Sequence, residues 1–180
     1  DAYNLDGVGF DDEYSTSPDL SNPWFTQWSY DAAARLCYET KKAMPDKTVM
    51  VYYLGGINSW MPSVDGIEPG MFVDYAVADY GGTAAPMQGM TVKQCSGMSI
   101  ELNRGSGDSS ESTARSKKEA GYGYYMFFAL GHTTSLVNDF DDYRFQVGRC
   151  QSVARGLYDE ELLMPEYYYK KNDATRYKLP

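Results

Sequence analysis

The chain has 180 residues, enough for one compact domain and thin for two. It carries 16 basic against 25 acidic side chains, a formal charge of −9, and that negative field argues against a nucleic-acid or anionic-membrane partner while leaving neutral ligands open. One histidine and three widely spaced cysteines, Cys37, Cys95 and Cys150, cannot build a zinc site, so the reading calls for no metal and no cofactor.

Residues 4–11 are apolar in short steps (Leu5, Val8, Phe10) and end in the acidic run Asp11-Asp12-Glu13, which predicts a short buried strand emerging at a loop. That loop, 14–28, is rich in Ser, Pro and Asp and holds Trp24 and Trp28. From Ser29 to about Met44 a helix is predicted, with Ala33, Leu36, Cys37 and Met44 near one face and Pro45-Asp46-Lys47 as its stop. Thr48 to Leu54 is a β-branched and aromatic run before Gly55-Gly56, a second strand, with Trp60 in the loop beyond it. Phe72 to Tyr80, closed by Gly81-Gly82, predicts a third strand, and Cys95 to Leu102 a fourth.

The polar stretch 108–120 predicts a short solvated helix with Gly121 just past its end. Tyr122 to Leu130, the most apolar run, predicts a fifth strand ending before His132. The helical spacing of Phe140, Val147, Cys150, Val153, Ala154 and Leu157 gives a final helix, and the tail from Pro165 reads as an extended or packed-down terminus. The three isolated cysteines read as small buried thiols. There is neither an apolar run of the ~20 residues that span a bilayer nor a leader pattern at residues 1–4, so the expectation is a soluble chain whose export signal has been removed.

Apolar strands alternating with helices imply parallel βα units, and the candidate polar residues cluster just after strand ends; together these predict a barrel. The 15 % aromatic content, with 17 tyrosines, suits a carbohydrate site, because the C–H face of a sugar packs on rings. Along the first strand Gly9, Asp11 and Glu13 share a face, and the two carboxyl groups are about 7 Å apart along the chain. Two inward carboxylates repel, so one is expected to hold its proton near neutral pH and act as an acid. On the residues alone, a solvated acidic turn stays open.

With its neighbours, Asp6-Gly7-Val8-Gly9-Phe10-Asp11-Asp12-Glu13 resembles the Asp-Gly-x-Asp-x-Asp-x-Glu signature of glycoside hydrolase family 18. More narrowly, Tyr3 to Ser15 resembles the branch of bacterial endo-β-N-acetylglucosaminidases of the endoglycosidase F/H type. Segments 32–47, 73–82, 121–130 and 153–162 occur in the same order as in that family, and the likeness extends to about Leu163, weakest at 15–27 and 83–93.

The resemblance implies a (β/α)8 TIM barrel of which this chain would hold strands four to eight. Residues 1–180 would then be the C-terminal part of a single catalytic domain, its first three βα units missing, and a companion N-terminal fragment would complete it. It also implies retaining, substrate-assisted hydrolysis of the β-1,4 bond in the N,N′-diacetylchitobiose core of N-linked glycans. By the match, Glu13 protonates the leaving oxygen and later activates water, Asp11 orients the acetamide, and Tyr80 hydrogen-bonds the acetamide oxygen. Asp79 adjoins Tyr80 as a binding residue.

Glu101 and Asn103, on one face of the fourth strand, match a region lining the cleft, with an outward, solvated Glu101 as the other reading. Trp24, Trp28 and Trp60 either stack on sugars or anchor loops, and His132 falls on the catalytic rim. Two positions depart from the pattern: Gly9 replaces an inward Asp, and Ala78, on the face of Tyr80, stands where relatives often carry a polar side chain. A chitinase and a non-catalytic glycan-binding protein on the same barrel stay as alternatives. The implied partner is an N-glycan or glycoprotein, met by a secreted, periplasmic or cell-surface bacterial protein.

Overall fold

A computed structural model of the chain describes residues 5–12, 29–54, 57–130, 139–163, 167–169 and 176–178; for Ser29, 139–143, 167–169 and 176–178 it describes the backbone alone. Glu13, Trp24, Trp28 and His132 lie outside the described residues.

Strand β1 (Gly7–Asp11) pairs in parallel with β2 (Thr48–Tyr53), which pairs in parallel with β3 (Tyr75–Ala78). Strand β4 (Ser96–Glu101) pairs in parallel with β5 (Tyr124–Phe128). A parallel bridge between Ala76 and Cys95, and the Ala78 amide donating to Ser96 Oγ at 3.1 Å, set β4 beside β3. The five strands therefore run parallel in sequence order, an α/β arrangement with β1 and β5 as its open edges among the described residues.

Alternation along each strand separates two faces. One carries Val49, Val51, Ala76 and Ala78 against Ala33, Ala34 and Cys37 of helix α1 (Ser29–Ala43). It continues through Met98, Ile100 and Leu102 against Ala114 of α2 (Glu111–Glu119) and Val153 of α3 (Asp139–Tyr158). Small residues on α1 let the helix approach the sheet closely. Leu36, expected on that buried face, is instead 52 % exposed, because the inward stripe runs through Ala33, Ala34 and Cys37.

Several boundaries move for local reasons. The third strand is shorter than Phe72 to Tyr80: after a 3₁₀ turn at Pro69–Met71 the Phe72 and Val73 amides donate to the Pro69 carbonyl, and beyond Ala78 the chain turns as the Gly82 amide donates to the Asp79 carbonyl at 2.8 Å. Gly81, at φ +78°, supplies the left-handed residue of that turn. Helix α2 begins at Glu111 because the Ser110 side chain caps it, accepting from the Thr113 amide at 3.3 Å, and Gly121 at φ +86° follows its end as expected. The tail contributes a two-stranded antiparallel pair, β6 (Tyr167–Tyr169) with β7 (Arg176–Lys178).

Candidate active site at the carboxyl ends of the strands

The face turned away from the helices carries Gly9, Met50, Tyr75, Val77, Ser99 and Met126 along the strands. At their carboxyl ends come Asp11, Tyr52, Asp79, Glu101 and Phe128, a placement that follows from the registers Asp11↔Tyr52, Tyr52↔Val77 and Glu101↔Phe128. Parallel strands put all these ends on one rim, so side chains far apart in sequence converge without any one of them being unusual.

Asp11 is exposed at the end of β1, directly across from Tyr52. Tyr52 is 8 % exposed, and its hydroxyl donates to Asp79 Oδ1 at 2.5 Å. The same oxygen accepts the Tyr80 amide at 2.7 Å. Burial, then the hydrogen bond to Asp79 and the negative charges of Asp79 and Asp11, push the Tyr52 phenol far above its ordinary range. It is therefore a donor at every working pH. The Tyr80 ring lies tilted against Tyr52 at 6.4 Å and against Phe128 at 5.3 Å, in contact with rings from two other strands. Beyond it the Gly81 amide donates to the Ser99 carbonyl at 2.9 Å, tying the end of β3 to β4.

The structure thus brings together Asp11, Asp79 and Tyr80, and Glu101 joins them on the same face. Glu101 is inward and 7 % exposed, not solvated; Ser106 Oγ donates to its Oε2 at 3.5 Å and Arg104 Nε stands 3.7 Å from its Oε1. Asn103 is corrected: it is not on the fourth strand, which ends at Glu101, where the Gly105 amide donates to the Glu101 carbonyl and turns the chain. Its Oδ1, like Ser99 Oγ, is buried with no hydrogen-bond partner among the described residues. Trp60 is 84 % exposed in the loop after β2, and its backbone amide donates to Asn58 Oδ1 at 2.8 Å.

Ala78 is corrected too. The alternation that would put it on the face of Tyr80 ends with β3, and Ala78 packs in the α1-side core. At Gly9, an added Cβ would meet, among the described residues, the end of the Met50 side chain, its methyl at 3.0 Å.

Sequence reasoning missed Tyr52 and Phe128. The signal was present as alternation from Met50 to Tyr52, but Val49 and Val51 are equally apolar, and a strand covered on both faces does not declare which one is the site. Among the described residues no three His, Cys, Asp or Glu side chains converge as a metal would require. What the rim offers is carboxylates, a permanently protonated phenol and ring faces, which suit a neutral, hydroxyl-bearing ligand.

No family model matches the chain. It is 38 % identical over 175 residues to Endo-beta-N-acetylglucosaminidase F1 of Elizabethkingia meningoseptica, covering 96 % of this chain and 50 % of that protein. It also resembles two structures of Bacteroides thetaiotamicron EndoBT-3987, each at 47 % identity over 99 % of this chain. The one with Man5GlcNAc product has a TM-score of 0.79 and is covered to 40 %; the one in complex with Man9GlcNAc2Asn substrate has 0.80 and is covered to 43 %. The chain therefore spans half or less of the length of these relatives.

Proposed function

From a chain homologous to the endo-β-N-acetylglucosaminidases of the F/H type over nearly all of its length, we propose a protein that hydrolyses the β-1,4 bond of the N,N′-diacetylchitobiose core of N-linked glycans. The observation that carries this reading is the rim of Asp11, Tyr52, Asp79 and Tyr80 on one face of parallel strands, in a chain this similar to such enzymes.

In the proposed reaction the acetamide oxygen of the bound N-acetylglucosamine attacks its own anomeric carbon. The glycosidic C–O bond breaks as Glu13 gives its proton to the leaving oxygen. Water then opens the bicyclic oxazolinium at the anomeric carbon and returns a proton to Glu13, with net retention. Asp11 orients the acetamide and stabilises its positive charge, and the Tyr80 hydroxyl donates to the acetamide oxygen. Asp79, Glu101 and Asn103 serve the sugar hydroxyls, and Trp24, Trp28, Trp60 and His132 are the further substrate-binding residues of this reading.

Under this reading β1 to β5 are strands four to eight of a (β/α)8 barrel, residues 1–180 are the C-terminal part of one catalytic domain, and its first three βα units are supplied by polypeptide outside these residues, in the same chain or in a companion fragment. The half-length match to the relatives and the open edges at β1 and β5 support it. Among the described residues no helix is long and apolar enough to cross a membrane. An enzyme for glycoprotein glycans acts where it meets them: secreted, periplasmic or at the surface of a bacterium.

Intact mass spectrometry of a denatured N-glycoprotein treated with the full-length protein tests the proposal. One N-acetylglucosamine left on each asparagine, and no turnover of chitin oligomers, is the expected result. Turnover of chitin oligomers alone would make the protein a chitinase, and glycan binding with no cleavage of either substrate would make it a lectin-like relative.

A further inference from the structure

Tyr52 is set in a chain of contacts that ends at the side chain given the acetamide. Its ring is nearly buried between β1 and β3, and its hydroxyl reaches across to the first residue beyond β3. There, Asp79 Oδ1 accepts two donors at once, the Tyr52 hydroxyl and the Tyr80 amide. A single carboxylate oxygen thus links the side chain of one strand to the backbone of the residue following the next. The linked residue leaves the strand through a glycine turn, where β alternation no longer decides its direction. Its ring packs against those of Tyr52 and Phe128.

Without the Tyr52 hydroxyl, the Asp79 side chain would lose its strand anchor and keep, among the described residues, the amide of its own neighbour, a local bond that turns with the loop. We infer that Tyr52 is a positioning residue of this site: by holding Asp79 Oδ1 it fixes the carboxylate that pins the Tyr80 backbone, and so fixes the point from which the Tyr80 hydroxyl meets the N-acetyl group. The inference rests on the reading above that Tyr80 binds the acetamide. Burial and the neighbouring carboxylates, which keep the phenol protonated, keep this clamp closed across the working pH range.

A positioning role of this kind shows in the transition state more than in ground-state binding, because the acetamide oxygen must be aligned only when it attacks. Tyr52→Phe keeps the ring and removes the donor. In the full-length protein acting on a glycopeptide, kcat is expected to fall about tenfold, as for loss of one hydrogen bond to a charged group, with KM changed less than about twofold. In a Tyr80→Phe background the same substitution is expected to cost less than about threefold, because the group it positions has gone.

An unchanged kcat for Tyr52→Phe in an active enzyme would overturn the inference and leave the proposed function standing. So would a full tenfold cost in the Tyr80→Phe background, which would show that Tyr52 does not act through Tyr80. A loss confined to KM would place Tyr52 in ground-state binding and overturn it equally. Wild-type protein that releases no glycan would instead overturn the function and this inference with it, and a fully active Tyr80→Phe enzyme would remove the role given to Tyr80. Should Tyr52→Phe fold poorly, Asp79→Ala, which deletes the same link from its other end, is expected to lower kcat with the same dependence on Tyr80, beside a rise in KM from the sugar contact given to Asp79; a kcat loss that persists undiminished in the Tyr80→Phe background would overturn the inference.

Discussion

Two glycines of β1 look equivalent in sequence and are not. A Cβ at Gly7 would run into the Thr48 carbonyl and the Thr48 side chain, neither of which can retreat without opening the β1–β2 ladder, whereas at Gly9 it would meet only the movable end of Met50. Gly7→Ala is therefore expected to destabilise the full-length protein by about 1–3 kcal/mol, and Gly9→Ala to stay within about 1 kcal/mol of wild type, by urea unfolding of the two variants. The result also bears on the departure at Gly9, where, among the described residues, a side chain asks the Met50 methyl to shift. The cysteines show what is legible at this scale. Cys37 and Cys95 are fully buried, and burial pushes their thiols up to about 12 and about 11, as isolated cysteines in apolar runs suggested, while Cys150 is only partly covered. Tyr52 was not legible, because its importance lies in a partner 27 positions away that only the strand register brings near.

At the scale of elements, apolar runs and their breakers located the five parallel strands and three helices, since each βα unit is a local event of strand, turn and helix. What stayed hidden was where strands stop. Phe72 and Val73 are as apolar as the strand they precede, and the 3₁₀ turn before them, whose Pro69 carbonyl accepts both their amides, keeps them packed without strand pairing. The junction just after them is held by Asp74, which accepts from Lys41 Nζ at 3.0 and 2.9 Å and from the Val49 amide at 2.7 Å, joining the end of α1 to the starts of β2 and β3. These bonds are partly solvent-exposed, so their worth is well below that of a fully buried network. Asp74→Ala is expected to cost about 1–3 kcal/mol of stability without altering KM, since the junction lies at the opposite ends of the strands from the rim. A variant with wild-type urea midpoint would show that the junction does not need the carboxylate.

At the scale of the molecule, the most apolar strand is an edge among the described residues: β5 pairs there only with β4, with Tyr124 42 % and Phe128 49 % exposed and Leu130 71 % exposed beyond it. An uncovered apolar edge is a surface for association. Residues 1–180 produced by themselves are expected to self-associate and to bind a hydrophobic dye in sedimentation and fluorescence experiments; a monomeric species with no dye binding would contradict that expectation. The rim at the carboxyl ends of the strands is the reacting end in this account, and the acid assigned to it is Glu13. Glycan release from a denatured N-glycoprotein by full-length wild type and Glu13→Gln is the most direct test: the account predicts that wild type releases the glycan and that the variant binds it but releases it about 10²–10⁴-fold more slowly, and equal release by the two proteins would contradict it.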